Sequence, residues 1–368
     1  MKINAISLWS VDLTSHETYY MADGKTCDTV TSHVVCISTD TGLTGWGEVC
    51  PIPHYLPAFA GGVPSVVTEL AADIFAADPL APEATMATLD ATLQGHLYAK
   101  SAIDMALWDL FGRALGQPLF NLLGGRRQKD MPLYHSITCI APDEMARIAR
   151  EAYGTGIRQF QVKLGADADW QADAERLTKV REAVGPGPLV YGDWNCGATK
   201  LQATRTGRTV AHLDVMLEQP CRTLEECADV RQATGLPMKI DEAAFDLASL
   251  LQARDLGCMD AVALKLSKFG GLSAMRRARD LTVHLGAEIC AECTWGSDIV
   301  TAAALHFAAS TPPSHLLNTC DLSSYVGPRI CPDAPVRHDG RIAPPDGPGL
   351  GVVPDLATIG SPVLELEG

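Results

Sequence analysis

From about residue 129 the chain alternates short apolar runs with longer stretches whose apolar positions recur every three or four residues. That is the signature of a strand followed by a helix, repeated. Candidate strands fall at 131–138, 160–165, 188–195, 214–219, 237–242, 260–266, 287–293 and 315–320. Helical windows between them include 142–154, 169–184 and 273–285. Repeated βα units imply a parallel sheet, and eight of them imply a (β/α)₈-type barrel, a modified TIM barrel in the α/β class. The earlier chain has a different rhythm. Met1 to Leu8 alternates like a first strand, and the runs 32–39 and 43–49 flank Asp40-Thr41-Gly42 as a hairpin. A helix through 99–110 puts Ile103, Ala106, Leu107 and Leu110 on one buried face, and Gly124-Gly125 stops the helix after it. The stretches 14–27 and 50–60 read as loops, the second carrying Pro51, Pro53 and Pro57. Beyond about 325 the chain is rich in Pro and Gly. Leu350, Val352, Val353, Val363, Leu364 and Leu366 favour a segment packed back on the first domain over a disordered tail. The expected organisation is an α+β capping domain over 1–128, a barrel over 129–325 and a returning C-terminal segment over 326–368.

Superimposed on this pattern are five polar residues, each at or near the end of an apolar run: Lys163, Asp193, Glu218, Asp241 and Lys265. Their step of roughly 25 to 30 residues is that of one strand plus one helix of a barrel, whose strand ends converge on one face. A single Asp there is ordinarily a turn former or helix cap. Five in phase place three carboxylates between two amines. Three carboxylates suit a hard divalent cation such as Mg²⁺, and two amines flanking a bound substrate suit proton abstraction and delivery.

Composition narrows the field. A formal charge of −15 argues against nucleic acid and against an anionic membrane surface. There is no continuous apolar run of about 18 residues and no signal peptide pattern. Twelve cysteines scattered through strands and helices fit reduced thiols in a cytoplasmic protein. Cys290 and Cys293 form the one Cys-x-x-Cys, in a strand where residues three apart face opposite ways, so a shared metal is not expected. Cys50, Cys293 and Cys320 lie in active-site segments, but no base is placed beside them by a recognisable motif.

Several segments together resemble the enolase superfamily, in its muconate-lactonizing subgroup, over nearly the whole chain. They are the helix 102–110, Leu123-Gly124-Gly125, Gln161-Val162-Lys163, Asp193-Trp194-Asn195, Glu218-Gln219-Pro220, Asp241-Glu242 and the run 265–271. The resemblance implies a capping domain whose two loops close over the barrel mouth. It implies one Mg²⁺ held by Asp193, Glu218 and Asp241, and Lys163 and Lys265 as acid/base groups on the two faces of a carboxylate substrate. Removal of its α-proton would give a metal-stabilised enediolate. Glu242 is expected to pair with Lys265; Asn195 would orient a ligand, join the metal shell or serve only in a turn. Many relatives carry a second lysine where this chain has Gln161, which can donate a hydrogen bond but supplies no charge. The strand near 287–293 has no His paired with an Asp on the preceding strand, which argues against the mandelate-racemase subgroup.

At finer grain, 95–100, 294–300 and 321–325 are similar to relatives acting on proline-type amino acids, the cis-3-hydroxy-L-proline dehydratases and proline-betaine epimerases. Tyr55 and Trp295 are candidate aromatic faces for a quaternary ammonium. Glu292 or Asp321 is a candidate partner for a secondary one. The end of the last strand, Asn318-Thr319-Cys320-Asp321, has no aromatic, which leans toward dehydration of a hydroxyproline with epimerisation as companion or alternative. A cycloisomerase, an acyl-amino acid racemase, a dipeptide epimerase and a noncatalytic binding barrel are the other readings. The expected partners are a small carboxylate substrate and further copies of the chain in a homo-oligomer.

Overall fold

A computed structural model describes residues 1–167 and 169–368. Among them, eight parallel strands form one curled sheet: His135–Ile137, Gln159–Lys163, Leu189–Asp193, Met216–Glu218, Met238–Ile240, Ala261–Lys265, Glu288–Glu292 and Leu316–Thr319. They are barrel strands 1 to 8 below. A parallel bridge between Leu133 and Thr319 brings the two edges together. Helices Pro142–Gly154, Trp170–Val184 and Leu272–Leu285 lie within a residue of their expected windows. Helices Lys200–Val210 and Leu247–Asp255 start at capping boxes, from Thr199 and Asp246, which fix where each helix leaves its loop.

The N-terminal region forms a separate antiparallel sheet. Its first strand, Ile3–Tyr20, pairs with Thr26–Thr39, which pairs with Thr44–Val49. Leu364–Glu367 and Val326–Gly327 also pair with the first strand, so the C-terminal segment returns to this sheet. The long helix Leu97–Leu115 lies directly on Thr44–Val49. The approach requires glycine: a Cβ on Gly47 would sit 1.9 Å from the Ala102 carbonyl oxygen, and one on Gly45 2.1 Å from that of Ala106. One expectation is corrected here. The stretch 14–27 is not an open loop: after an irregularity between Thr14 and Tyr19 the strand pairing resumes at Tyr19–Cys27 and Tyr20–Thr26. Only the short turn around Ala22–Gly24 remains. The stretch 50–60 does stay irregular.

Two buried polar groups tie the sheet, the barrel and the C-terminal segment together. Glu48, fully buried, accepts from the backbone N–H groups of Ser297 (2.7 Å) and Val300 (3.0 Å), and so caps the N-terminus of helix Asp298–Ser310. His306 on that helix accepts from the Phe120 N–H at Nδ1 (3.2 Å), so Nε2, 3.1 Å from the Leu350 carbonyl, carries the proton. Burial pushes its pKa down to about 4. Since the unfolded value is near 6.5, this neutral histidine stabilises the fold fully above pH 6.5. The stability is lost as pH falls toward 4, in all by about 3 kcal/mol. Urea titrations at pH 7 and pH 4.5 should show that loss, reduced in His306→Gln, which keeps a donor and an acceptor but does not titrate. An equal loss in the variant would assign the acid sensitivity elsewhere.

Candidate active site

Strand register assembles the site. Lys163 at the end of strand 2 is the register partner of Asp193 on strand 3, which is the partner of Glu218 on strand 4. Glu218 is in turn opposite Lys239 on strand 5, and Lys265 on strand 6 is opposite Glu292 on strand 7. Asp241 follows strand 5 directly. Alternation along a strand then points Gln161 with Lys163, and Lys239 with Asp241, to the same side. All of these side chains are at least 90% buried.

The contacts form two lobes. Lys163 Nζ lies 2.5 Å from Asp193 Oδ2 and 3.0 Å from Asn195 Oδ1. Gln161 Nε2 donates to Asp193 Oδ2 (3.0 Å) and Glu218 Oε2 (2.8 Å). Across the mouth, Lys265 Nζ lies 2.6 Å from Asp241 Oδ2, and Lys268 Nζ lies 2.9 Å from Asp241 Oδ1. The Tyr55 hydroxyl donates to Asp241 and accepts from Lys265, with its ring centroid 4.5 Å from Lys265 Nζ. Glu218 Oε1 lies 2.9 Å from Lys239 Nζ yet makes no aligned hydrogen bond.

These charges act on one another. Burial and the neighbouring Asp193 raise the Glu218 carboxyl to about 7. Burial alone would raise Asp241 too, but Lys265 and Lys268 hold it well below the carboxylate range. Burial opposes the charge of both candidate bases, and the carboxylates overcome it. Asp193 and Glu218 hold Lys163 above its usual value, and Asp241 and Glu292 hold Lys265 well above. In this arrangement both amines are ammonium ions.

One cavity is lined by Lys163, Lys265, Gln161, Tyr55, Glu292 and Trp295. Glu292 accepts from Tyr134 Oη at 2.5 Å. Its carboxyl, which burial would raise, is kept below its usual pKa by Lys265 and Lys239, so it faces the cavity ionised. Tyr19, Trp295 and Tyr325 form an aromatic wall, with ring centroids 5.7 and 6.3 Å from Trp295. Tyr325 supplies, just past strand 8, the aromatic that the strand end itself lacks.

Two expectations are corrected. Asp321 is not in the cavity: Arg337 grips it through two bonds of 2.7 and 2.5 Å, a pairing across 16 residues that spacing could not reveal. Glu242 does not pair with Lys265; it accepts from Asn195 Nδ2 at 3.1 Å, and burial together with Asp241 raises it to about 8. Burial also pushes up the thiols of Cys50, Cys293 and Cys320, which removes them as thiolate nucleophiles. Among the described residues no three His, Cys, Asp or Glu side chains converge at metal-holding spacing; lysine and glutamine nitrogens meet the carboxylates instead. Among the described residues no helix is long and apolar enough to cross a membrane.

Lys239 and Lys268 were missed as site residues. Lys239 stands inside an otherwise apolar run and alternates with Asp241, and Lys268 lies three residues after Lys265; those spacings are the available signal.

Comparison with known proteins gives the family. Residues 8–124 match the family model described as "Mandelate racemase / muconate lactonizing enzyme, N-terminal domain", and 144–358 match "Enolase C-terminal domain-like". The cis-3-hydroxy-L-proline dehydratase of Roseibium aggregatum is 41% identical, covering 99% of each chain. An N-succinyl-L-Arg/Lys racemase of Bacillus cereus is 29% identical over 84% of this chain and 85% of its own. A solved enolase-superfamily structure from Roseovarius nubinhibens complexed with magnesium has 32% identity, full coverage of both chains and a TM-score of 0.94. With both of its regions matched and relatives aligned end to end, this chain belongs to the mandelate racemase/muconate lactonizing enzyme family of the enolase superfamily.

Proposed function

We propose that the chain is a magnesium-dependent dehydratase of cis-3-hydroxy-L-proline. The observation that carries this is the placement of Lys163 and Lys265. They rise from strands 2 and 6 of eight, on opposite sides of the mouth, and line the same cavity. In the cis substrate the 3-hydroxyl shares a ring face with the carboxylate, so the C2 proton lies on the other face. Elimination therefore needs a base on one face and an acid on the other. One lysine takes the C2 proton while the other gives its proton to the departing hydroxyl, which leaves as water. The resulting C2–C3 double bond tautomerises to the cyclic ketimine.

Asp193, Glu218 and Asp241 would hold the metal. They fit it by donor chemistry, three hard oxygens of the kind Mg²⁺ takes, and Glu218 Oε1 is a buried acceptor with no hydrogen bond. Mg²⁺ bound there would neutralise the substrate carboxylate and the charge that grows on it as the proton leaves. A carboxylate shared with a cation holds its lysine's proton less tightly, which favours the neutral amine that a base must be. Glu292, ionised in the cavity wall, is suited to the ring's secondary ammonium. Tyr55 orients Lys265, and Asn195 orients Lys163 and Glu242.

A second reading, epimerisation of a proline betaine, is favoured by the wall of Tyr19, Trp295 and Tyr325, whose faces suit a quaternary ammonium. Proton NMR in D₂O with Mg²⁺ separates the two. Loss of the C2 signal of cis-3-hydroxy-L-proline with appearance of a ketimine is the expected result. Exchange of proline betaine alone would select the second reading, and exchange of neither would reject both.

A further inference from the structure

A hydrogen-bond chain that starts in the capping domain ends on two of the three candidate metal-holding carboxylates. Tyr19, near the end of the first strand, donates its hydroxyl proton to Ser136 Oγ on barrel strand 1. Ser136 Oγ donates to Gln161 Oε1 at 2.5 Å, across a register pair of strands 1 and 2. Gln161 Nε2 then donates to Asp193 Oδ2 and Glu218 Oε2. Each link is buried, and each has one assignment of donor and acceptor. Asp193 Oδ2, which also accepts from the Lys163 ammonium, is an acceptor, so the amide must present its NH₂ to it and its oxygen to Ser136. Ser136 spends its one proton on that oxygen, so it must accept from Tyr19.

We infer that Tyr19 is a positioning residue for the metal site. Seating of the capping strand on the barrel fixes, through Ser136, which end of the Gln161 amide faces Asp193 and Glu218. The strand is clamped beside this chain by backbone as well: Tyr20 N–H donates to Thr138 Oγ1 (2.6 Å) and Cys139 N–H to the Tyr20 carbonyl (3.0 Å). The Tyr19 ring is held by Trp295. Hydroxyl and ring therefore have separate tasks, and the hydroxyl can be removed alone. A glutamine, unlike a lysine, has an accepting end as well as a donating end. Flipped, it would aim an oxygen at two carboxylates. Such a residue needs an orienting partner, and the chain from Tyr19 supplies it.

This rests on the reading that Asp193 and Glu218 help hold Mg²⁺, and it is tested by metal binding without substrate. Titration calorimetry with Mg²⁺ would be run on the full chain and on Tyr19→Phe, Ser136→Ala and the double variant. Tyr19→Phe is expected to raise the Mg²⁺ Kd about fivefold, the worth of one hydrogen bond. Ser136→Ala leaves the amide free to flip and should raise it about tenfold or more. The double variant should match Ser136→Ala, because with the link cut Tyr19 has nothing to transmit. Unchanged affinity in Tyr19→Phe, or additive effects in the double variant, would overturn the relay while leaving the metal site standing. A parent chain that binds no Mg²⁺ would overturn both. Thermal melts without metal check that each variant is folded. A variant with an unchanged melt and weakened Mg²⁺ binding supports positioning over a packing role.

Discussion

With Lys265 or Lys163 replaced by alanine, turnover is expected to fall by roughly 10²- to 10⁴-fold, the usual worth of a positioned acid or base. Neither change should unfold the chain, because each carboxylate keeps another donor. Asp241 retains Lys268 at 2.9 Å, and Asp193 retains Gln161 at 3.0 Å and the Asn195 N–H at 2.8 Å. The two variants should differ in what survives. Without the lysine that faces the C2 proton, both deuterium exchange at C2 and loss of water stop. Without the lysine behind the hydroxyl, exchange continues while elimination stops, since the other amine still removes and returns the proton. NMR in D₂O reads both at once. If both variants kept turnover, two-lysine chemistry would be wrong. If both lost exchange equally, the division of labour between the faces would be wrong.

That division follows from features visible along the chain. The end-of-run positions of Lys163, Asp193, Glu218, Asp241 and Lys265 already implied strands 2 to 6 of a barrel and a common face, because side chains at the ends of parallel strands converge whatever the intervening helices do. Contacts between loops and strands were less legible. Asp321 looked like a substrate carboxylate because its partner Arg337 lies beyond the strand, in a segment without periodicity. Glu242 was expected on Lys265, yet Asp241 holds that lysine and Asn195, in a left-handed turn at φ 44°, holds Glu242. The stretch 14–27 looked like a loop because its polar, irregular sequence hides an uneven pairing with Thr26–Thr39. Tyr19 thus escaped notice, although it reaches the cavity. Lys239 is legible in its own run. In Met238-Lys239-Ile240-Asp241 alternation places it on the same side as Asp241, inside the barrel, where a lysine must be paired.

Removal of the divalent cation should have an effect of comparable size, and Glu218 is the residue through which to see it. In the metal-free chain this carboxylate is an uncomfortable charge: burial and Asp193 lift its pKa to about 7, so above that pH its ionisation opposes folding. The sign is that of a raised acid. Its unfolded counterpart ionises near 4.3, and the folded form gives up stability as pH rises between the two values. Glu218→Gln removes that charge, and Lys239 keeps a carboxylate partner in Glu292 at 3.8 Å, so at pH 8 the metal-free variant should melt no lower than its parent despite losing the Glu218–Lys239 ion pair. Its activity should nonetheless fall by about 10³-fold or more, because one of three hard oxygen donors is gone. The parent should lose turnover in EDTA, regain it with Mg²⁺ and gain melting temperature as Mg²⁺ is added, by linkage to the folded state. The variant should show no such gain. Melting curves with and without Mg²⁺, beside the NMR assay, decide the matter. A Glu218→Gln protein that kept both the Mg²⁺-dependent gain and the turnover would remove Glu218 from the metal site. One that melted far below its parent without metal would make the residue a structural partner of Lys239. A carboxylate that costs stability when empty and is indispensable when loaded is one whose burial serves binding, and this pair of measurements sees both halves.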